Sequence, residues 1–508
     1  MSTETRVGVD DAFEHEQRGR LIKSMRLFDL VFFGITTVVS LDTIGQISSF
    51  GAETFTWMLV LVLLFVVPYA WLMAELSGAF PQEGGPYHWM KLAFGRGWAA
   101  LGAVLYWITN PLWLGGSLSF LAAASCNAWI IHLDSGSWAD YVFKLAFVWV
   151  GILVAVISLR RGKWIPSIGA FVKLALVAFV SLTVVIYAFS HGVHGYGIGS
   201  FSPTLAGFLG AVPVLLFAIS GFEAGSAAGD EMTDAGRDGP VFITRSAAIS
   251  VACYLIPILA VLLVVPVKRI TGVSGFMDAV SLTFSIYGGA RHALVVLVAV
   301  AFIFTLLTQG SAWMMGSDRV VAAAGMDGTF PRWLGVFHPR LGTPVRVNLC
   351  SGAVATVFVI VASKLTSGSA GSAFYVVLTV AISTVLMSYI IIYPTAWVLR
   401  RNHPDTPRPF RVPFGPRGVA IATVSATFFA VLGTWVALFP GVLEKLFGLD
   451  YDFVGTWGVG RGRFEALTLG TVAVIVLLTL LGLWLGTRER AREAGEVGTR
   501  RDVNVGSA

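Results

Sequence analysis

Runs of apolar residues alternate with short polar segments along almost the whole chain. An α-helix rises about 1.5 Å per residue, so a run of about 20 apolar residues crosses a hydrocarbon layer about 30 Å thick. Hydropathy, read together with the positions of proline and glycine, predicts about twelve such helices. We predict them at residues 28–52, 56–79, 97–132, 141–159, 165–189, 206–229, 241–266, 290–316, 345–363, 372–399, 418–440 and 465–486. The pattern therefore predicts an all-α integral membrane protein with a transmembrane domain at residues 27–486.

Polar segments at the two ends of the chain lie outside this domain. Residues 1–26 are charged and have neither the apolar core nor the cleavage site of a signal peptide, so we expect an N-terminal tail. Residues 487–508 are polar and contain five arginines, so we expect a disordered C-terminal tail. The loops between the predicted spans are too short to hold a separate soluble domain.

The composition agrees with a membrane protein and adds an orientation. The 508 residues are 56% hydrophobic and only 13% charged, which is unusual for a soluble domain. With the N-terminus inside, 26 of the 35 lysines and arginines fall on the cytoplasmic side, 8 fall on the other side, and Lys173 lies within a span. This distribution follows the positive-inside rule, so we expect a protein of the inner cell membrane with both tails in the cytoplasm. The net charge of +6 is explained by topology and does not indicate a nucleic-acid partner.

The sequence gives no sign of enzyme or cofactor chemistry. It contains no phosphate-binding loop and no hydrolase elbow, and its eight histidines are not grouped. The three cysteines, Cys126, Cys253 and Cys350, lie singly in apolar segments without metal-ligand spacing. We therefore predict that the protein is not an enzyme and binds no cofactor or metal.

The first span is interrupted by small and polar residues. Ser40, Asp42 and Thr43 surround Leu41, and Gly45 follows them. A continuous membrane helix does not need this pattern, whereas an unwound segment frees backbone groups that can bind the charged ends of a substrate near the bilayer midplane. We therefore name Ser40, Leu41, Asp42, Thr43 and Gly45 as candidate substrate-binding residues.

A second interruption lies five spans later, in the sixth span. Here Ser220 and Gly221 break an apolar run between Phe217 and Glu223. A single Ser-Gly pair is more often a kink or a packing point. Two interruptions at corresponding positions of two five-helix halves, however, are typical of an inverted-repeat transporter. Phe217, Ser220, Gly221 and Glu223 are therefore candidate substrate-binding residues as well.

Three groups of motifs follow the second, sixth and eighth spans in order: AEL at 74–76 with FPQEGGPY at 80–87, GFE at 221–223 with DE at 230–231, and SDR at 317–319 with GMDGTFP at 325–331 and HPRLGTP at 338–344. These motifs resemble those of the amino acid-polyamine-organocation superfamily of permeases. The resemblance covers roughly residues 25–440. It implies two inverted five-helix repeats, at about 27–190 and 205–400, followed by two further helices at 418–486. It also implies alternating access to a site between the first and sixth spans, and substrates that carry an ammonium group.

Asp42 departs from the pattern of this superfamily. In relatives, the amides of a glycine-x-glycine break in the first span hold the substrate carboxylate, and that break aligns here with Ser40-Leu41-Asp42. A carboxylate that faces the cavity would repel an acidic group and favour polyamines or simple amines. Asp42 could instead cap the second half of the helix, or take part in proton coupling. The sequence leaves these three interpretations open.

Two further charged residues within the spans are candidates for proton coupling. Lys173 lies about eight residues into the fifth span, where it could extend along the helix to reach water. In related sodium-independent permeases a lysine at a similar place occupies the volume of the sodium ion, and the resemblance implies that its deprotonation couples proton movement to the conformational change. Glu223 could share in this coupling, bind substrate, or only stabilise the interrupted backbone.

Four residues are candidate gates. Phe217 matches the position at which relatives place an aromatic lid, where a ring face attracts an ammonium group by about 0.5 to 2 kcal/mol, but it could equally be a packing residue. Glu75 lies near the end of the second span, and Asp318 and Arg319 follow the predicted eighth span. We expect these three to shape the cytoplasmic gate.

The sequence therefore predicts a secondary active transporter for amino acids or related amines and polyamines, coupled to protons. Its expected partners are an amine-bearing solute, protons and the lipid bilayer. An exchanger, or a nutrient sensor that binds its ligand without transporting it, would have the same fold.

Overall fold

The described chain, residues 12–161, 164–270, 275–365 and 370–505 of a computed structural model, is built from helices. In chain order the spans are Leu27–Val38 with Leu41–Ser49, Glu53–Ala79, 96–129, Trp138–Arg161, Trp164–His191, Leu205–Ala218 with Phe222–Glu231, Ala235–Val264, Arg291–Met326, Val345–Leu365, Ala370–Asn402, Gly415–Leu438 and Arg461–Val505. Shorter helices, absent from the predicted spans, are Gly85–Phe94, Gly275–Thr283, Val442–Leu446 and Phe453–Trp457.

Within the described residues, eleven helices are long and apolar enough to cross a membrane. The remaining predicted span, the third, is helical over residues 96–129 but is more polar. Its polar side chains Thr109, Asn110, Ser117 and Ser119 are all buried by neighbouring helices. Polar groups that face other helices avoid the cost of contact with lipid. The predicted all-α membrane architecture is confirmed.

The predicted interruption of the first span is present. The helix ends at Val38 and resumes at Leu41, and the two residues between them, Val39 and Ser40, have extended backbone conformations. Extended residues cannot continue the helical hydrogen-bond ladder, so the carbonyl groups of the preceding turn need other partners.

The predicted interruption of the sixth span is also present. The α-helix ends at Ala218, and the chain continues as a 3₁₀ helix from Phe222. Gly221 between them has a φ of 108°, which favours glycine, and a Cβ there would lie 2.3 Å from the ring of Trp313. Backbone conformation and close packing therefore both require glycine at this break.

The spans pack as two groups around the interruptions. The seventh span packs against the first and second, and the second half of the sixth lies against the same two. The eighth packs against the third and fourth, and the ninth against the same two. Small residues permit close approach, because a Cβ on Gly115 of the third span would lie 2.3 Å from the carbonyl oxygen of Ala355 in the ninth.

Residues 12–26 and 487–493 lie at the same end of the bundle, which we call the tail face. The guanidinium of Arg332 lies 5.0 Å from the ring centroid of Phe13 and pairs with Glu493 at 2.7 Å. Glu489 accepts a hydrogen bond from the Arg332 amide at 2.9 Å. The last span continues as a helix to Val505, so the expectation of a disordered C-terminal tail is wrong for residues 487–505. These contacts hold the helix against the loop after the eighth span as far as Glu493.

Candidate functional site

Side chains of other spans hydrogen-bond three carbonyl groups at the break in the first span. The donors are Lys173 Nζ to Thr36 at 2.6 Å, Trp313 Nε1 to Thr37 at 2.8 Å, and the Tyr254 hydroxyl to Val38 at 2.8 Å. A buried carbonyl without a partner would cost about 1 to 3 kcal/mol, so these bonds stabilise the unwound segment. They connect the first span to the fifth, seventh and eighth.

Asp42 is the second residue of the resumed helix, and it is buried. Its Oδ1 accepts a hydrogen bond from the Ser40 hydroxyl, whereas Oδ2 has no hydrogen-bond partner within the described residues. The Trp113 indole N–H and the Lys173 ammonium both interact electrostatically with the carboxylate, but Trp113 Nε1 lies outside hydrogen-bond geometry. A carboxylate is favourable at a helix N-terminus, which agrees in part with the capping interpretation. One carboxylate oxygen nevertheless stays available to a further donor.

Lys173 is completely buried, so its ammonium group does not extend along the fifth span to water. Its bond to Thr36 places the cation against the unwound backbone of the first span. The side chains of Asp42 and Cys253 also interact electrostatically with this ammonium group. This geometry favours the interpretation in which the lysine occupies a cation position beside the break.

Glu223 is completely buried and is surrounded by tyrosines. Tyr69 donates to Oε2, and Tyr106 and Tyr389 each donate to Oε1 at 2.9 Å. The Tyr69 hydroxyl also accepts a hydrogen bond from the Gly221 amide at 2.8 Å. These bonds connect the break in the sixth span to the second, third and tenth spans. The contacts favour the role of stabilising the interrupted backbone, and the roles of Glu223 in substrate binding and proton coupling stay predictions.

Several amide side chains on the spans that border the breaks have unpaired oxygens. Within the described residues, the side-chain carbonyl oxygens of Gln46, Asn110 and Gln309 have no hydrogen-bond donor. Like Oδ2 of Asp42, they are buried hydrogen-bond acceptors without a donor, and they lie on the first, third and eighth spans. An N–H group within reach would satisfy each of them.

Phe217 lies edge-on to Trp113, with ring centroids 5.3 Å apart and an angle of 88° between the rings. Both side chains are buried, and the indole of Trp113 also lies close to Asp42. The contact agrees with the packing interpretation of Phe217. Its position beside the Asp42 site is also the one expected of a lid, so its gating role stays a prediction.

The other predicted binding residues make contacts within the protein. Leu41 is buried, and Gly45 packs so closely on Gly275 that an added Cβ would lie 3.0 Å from the Gly275 Cα. The hydroxyl bonds are Thr43 to the Ser40 carbonyl at 2.8 Å and Ser220 to the Leu216 carbonyl at 2.5 Å. These contacts give each residue a structural role, and their contact with substrate stays a prediction.

A vestibule of about 480 Å³ lies on the face opposite the tail face. It is lined by the ends of the first, sixth, tenth and eleventh spans and by the connection between the eleventh and twelfth. Gln46 lines this cavity and lies four residues, or about one helical turn, beyond Asp42. The vestibule therefore reaches to within about one turn of the Asp42 carboxylate, and its volume suits a small ligand.

On the tail face, a buried ion-pair network connects the two groups of spans. Arg319 of the eighth span pairs with Glu83 at 2.8 Å and with Glu231 at 2.9 Å, and all three are buried. Glu83 lies in the turn after the second span, and Glu231 ends the sixth. Burial raises the pKa of Glu83 above its usual range, even with the Arg319 guanidinium beside it. Arg319 thus lies where a gate on this face would act.

The two other residues predicted for this gate connect neighbouring elements. Glu75 pairs with Arg400 and Arg408, both at 3.2 Å, and so connects the second span to the end of the tenth and the segment after it. The donors to Asp318 are Trp107 Nε1 at 2.9 Å, Ser351 Oγ at 2.7 Å and Asn348 Nδ2 at 2.5 Å. Asp318 therefore joins the third, eighth and ninth spans. These buried bonds explain why the eighth span runs to Met326, beyond its predicted end at residue 316.

Sequence reasoning missed the partners of the buried charges. Tyr69, Tyr106 and Tyr254 lie in predicted spans, but nothing in one sequence shows which way they face. The available signal is indirect: a buried carboxylate needs donors, and few tyrosine hydroxyls lie within the spans to supply them.

Known proteins similar to this chain are membrane transporters. The family profile described as amino acid permease matches residues 25–448. A probable agmatine/putrescine antiporter of Lactococcus lactis is 26% identical over 76% of this chain and 82% of its own length. A branched-chain amino acid permease of Bacillus subtilis is 24% identical over 85% of this chain and 93% of its own length. A methylthioribose transporter of the same species is 24% identical over 78% of this chain and 85% of its own length. Because these relatives are named for different substrates, similarity alone does not select one.

Proposed function

Because the chain belongs to the amino acid permease family, it is a membrane transporter of small molecules, and we propose that its substrate is an organic amine without a carboxylate. A diamine such as putrescine, or a guanidino amine such as agmatine, fits this description. The observation that carries the proposal is the buried Asp42 carboxylate at the break of the first span, whose Oδ2 has no hydrogen-bond partner in the described chain.

The negative charge of Asp42 would favour the binding of amines over that of amino acids. An ammonium group beside Oδ2 would complete its hydrogen bonding and balance its charge. The carboxylate of an amino acid at about 4 Å would instead be repelled by about 4 kcal/mol at an effective dielectric constant of 20. The unpaired oxygens of Gln46, Asn110 and Gln309 favour the same class of ligand, because they are acceptors as well.

We propose that transport is coupled to protons through the buried ammonium group of Lys173. Lys173 donates to the Thr36 carbonyl, so its proton state is connected to the conformation of the break. Loss of this proton would remove the positive charge and weaken this hydrogen bond, since a neutral amine is a poorer donor than an ammonium group, and so loosen the first span from the fifth. In alternating access, the vestibule would then close and the protein would open on the tail face, which we assign to the cytoplasm. A Lys173→Met variant should bind putrescine but lose the dependence of transport on a proton gradient.

Exchange is a second candidate mode of transport. The specific observation in its favour is the relative named as a probable agmatine/putrescine antiporter, which is similar over 76% of this chain. An exchanger would use the same Asp42 site but would reorient only when loaded.

Uptake into proteoliposomes tests this proposal. The purified full chain would be supplied with labelled putrescine, agmatine and leucine, with and without an inward proton gradient, and with and without putrescine inside. We expect the two amines to enter and leucine to be excluded. Stimulation by the gradient would indicate symport, and stimulation by internal putrescine would indicate exchange. Uptake of leucine with exclusion of both amines would contradict the proposal, and binding of amines without any uptake would indicate a sensor.

A further inference from the structure

A carboxylate in the wall of the vestibule is buried and unpaired. Glu444 lies in the short helix Val442–Leu446 between the eleventh and twelfth spans, and only 4% of its surface is exposed. Neither of its carboxylate oxygens has a hydrogen-bond partner within the part of the chain that the structure describes. Burial of a carboxylate without a partner is costly, so an unpaired one that lines a cavity indicates a cationic ligand.

The surrounding chain holds Glu444 in this place. Gly441 precedes the helix with a φ of 81°, and a Cβ there would lie 2.5 Å from the ring of Tyr451. The Glu444 carbonyl accepts a hydrogen bond from the Leu449 amide at 2.8 Å, and Trp457 Nε1 donates to the Tyr451 hydroxyl at 2.8 Å. The connection between the two spans is therefore an ordered wall in which the carboxylate has a fixed position.

The chemistry of the vestibule suits an alkylammonium group. Among the described residues that line it, Glu444 is the one with a charged side chain, and the aromatic residues include Phe50, Tyr375, Tyr451 and Trp457. Aromatic ring faces attract ammonium groups, most strongly where water is excluded. A wall that combines one carboxylate with several rings therefore favours an organic cation over an inorganic one.

The basic groups near this wall do not neutralise Glu444. Arg461 donates to the carbonyl of Pro440 at 3.0 Å and pairs with Glu465 at 3.3 Å. Lys445, the next residue in the helix, is exposed to solvent. Within the described residues, neither cation forms a hydrogen bond with the carboxylate.

We propose that Glu444 forms a second, outer binding site for an alkylammonium group, which a cationic substrate occupies in the vestibule before it reaches Asp42. The two sites differ in position, because Glu444 lines the vestibule whereas Asp42 is not among the described residues that line it. The use of a diamine as the ligand rests on the proposed function. The outer site itself requires only an ammonium group.

Calorimetric titration of the full chain in detergent with putrescine tests this inference. The variants are Glu444→Gln and Asp42→Asn, and the matched control is Asp450→Asn, an exposed residue of the same connection. We expect two putrescine molecules per wild-type chain, one in each of the two variants and two in the control. Glu444→Asp keeps the negative charge. If Glu444→Gln loses the second putrescine molecule because the charge is absent and not because the protein misfolds, Glu444→Asp should bind two molecules.

The outcomes separate the outer site from the proposed function. If Glu444→Gln binds as many putrescine molecules as the wild type, the outer site is wrong. If the wild type binds one molecule, Glu444→Gln none and Asp42→Asn one, the outer site stands and the role of Asp42 in amine binding is wrong. In transport, loss of the outer site should raise KM for putrescine about tenfold at unchanged kcat, whereas equal KM values for the variant and the wild type would contradict a place on the entry path.

Discussion

The break in the first span and the tail face both contain buried charged side chains, but the two regions differ in how completely these charges are paired. On the tail face, Arg319 is paired with two carboxylates, Glu83 and Glu231, at 2.8 and 2.9 Å. At the break, Asp42 has one oxygen without a hydrogen-bond partner within the described residues, and Gln46, about one helical turn further on, lines the vestibule. Paired charges hold elements together, whereas an unpaired charge beside a cavity is available to a ligand.

The two faces of the protein differ in the same way. The tail-face network crosses from the eighth span to the second and sixth, so movement of one group of spans against the other must break it. The opposite face has a cavity of about 480 Å³. The proposed alternating access would use this difference, with substrate entering from the vestibule while the network holds the tail face closed.

Loss of Arg319 should have the largest effect. Arg319→Gln would leave two buried carboxylates without their cation, and breaking a buried pair in this way costs about 3 to 5 kcal/mol. We expect a large fall in thermal stability in detergent, measured beside Arg417→Gln, an exposed arginine, as the control. A melting temperature within 1 or 2 °C of the wild type, on the order of what a surface change gives, would contradict the account of this network.

Loss of the Asp42 charge should have the next largest effect, and it should act on transport rather than folding. Asp42→Asn keeps the size of the side chain but removes the attraction for an ammonium group. Putrescine uptake should therefore fall by about 10- to 100-fold, which corresponds to a loss of about 1.4 to 2.7 kcal/mol of binding free energy. The control is Asp134→Asn, which changes an exposed aspartate. Unaltered putrescine uptake by Asp42→Asn would show that the charge has no part in binding.

Loss of one tyrosine around Glu223 should have a smaller effect. Tyr389→Phe removes one of three hydrogen bonds to the carboxylate, and Tyr69 and Tyr106 keep it paired, so the cost should be that of a single hydrogen bond, about 0.5 to 1.5 kcal/mol. We expect reduced thermal stability with retained substrate preference. A change of preference between putrescine and leucine would instead place Tyr389 in the binding site.

A pH dependence of the tail face should be the smallest effect. The raised pKa of Glu83 means that the closed arrangement holds a proton more tightly than an open one with an exposed glutamate. Closure is therefore favoured at low pH, and this contribution is lost as the pH rises through the raised pKa. Alkylation of Ser317→Cys, in a chain without the three native cysteines, should increase with pH more steeply than the same reporter combined with Glu83→Gln. Identical pH profiles would exclude Glu83 as the titrating group.

The comparison also shows what the sequence could and could not predict. Both breaks were predicted, because small and polar residues such as Ser40 and Gly221 are out of place in a continuous membrane helix. The burial of Lys173 and Glu223 was not decided by the sequence, because span boundaries do not fix the rotation of a helix. The tyrosines around Glu223 come from three distant spans, and only their packing brings them together.

The tail face was harder to predict than the breaks. Arg319 and Glu83 were both noted in motifs, but their pairing depends on the position of the turn after the second span. The ordered end of the last helix was missed because polar composition alone does not reveal the contacts of Glu489 and Glu493 with the loop at Arg332.

The most direct test of the central claim is the ratio of putrescine to leucine uptake by Asp42→Gly in proteoliposomes. This change gives the first span the glycine that the family pattern has at that place, and it removes the negative charge. If Asp42 selects amines, the ratio should fall by at least about tenfold and leucine should become a substrate, since about 1.4 kcal/mol of selectivity is lost. An unchanged ratio, with only thermal stability reduced, would show that Asp42 is a helix cap and that the substrate is selected elsewhere.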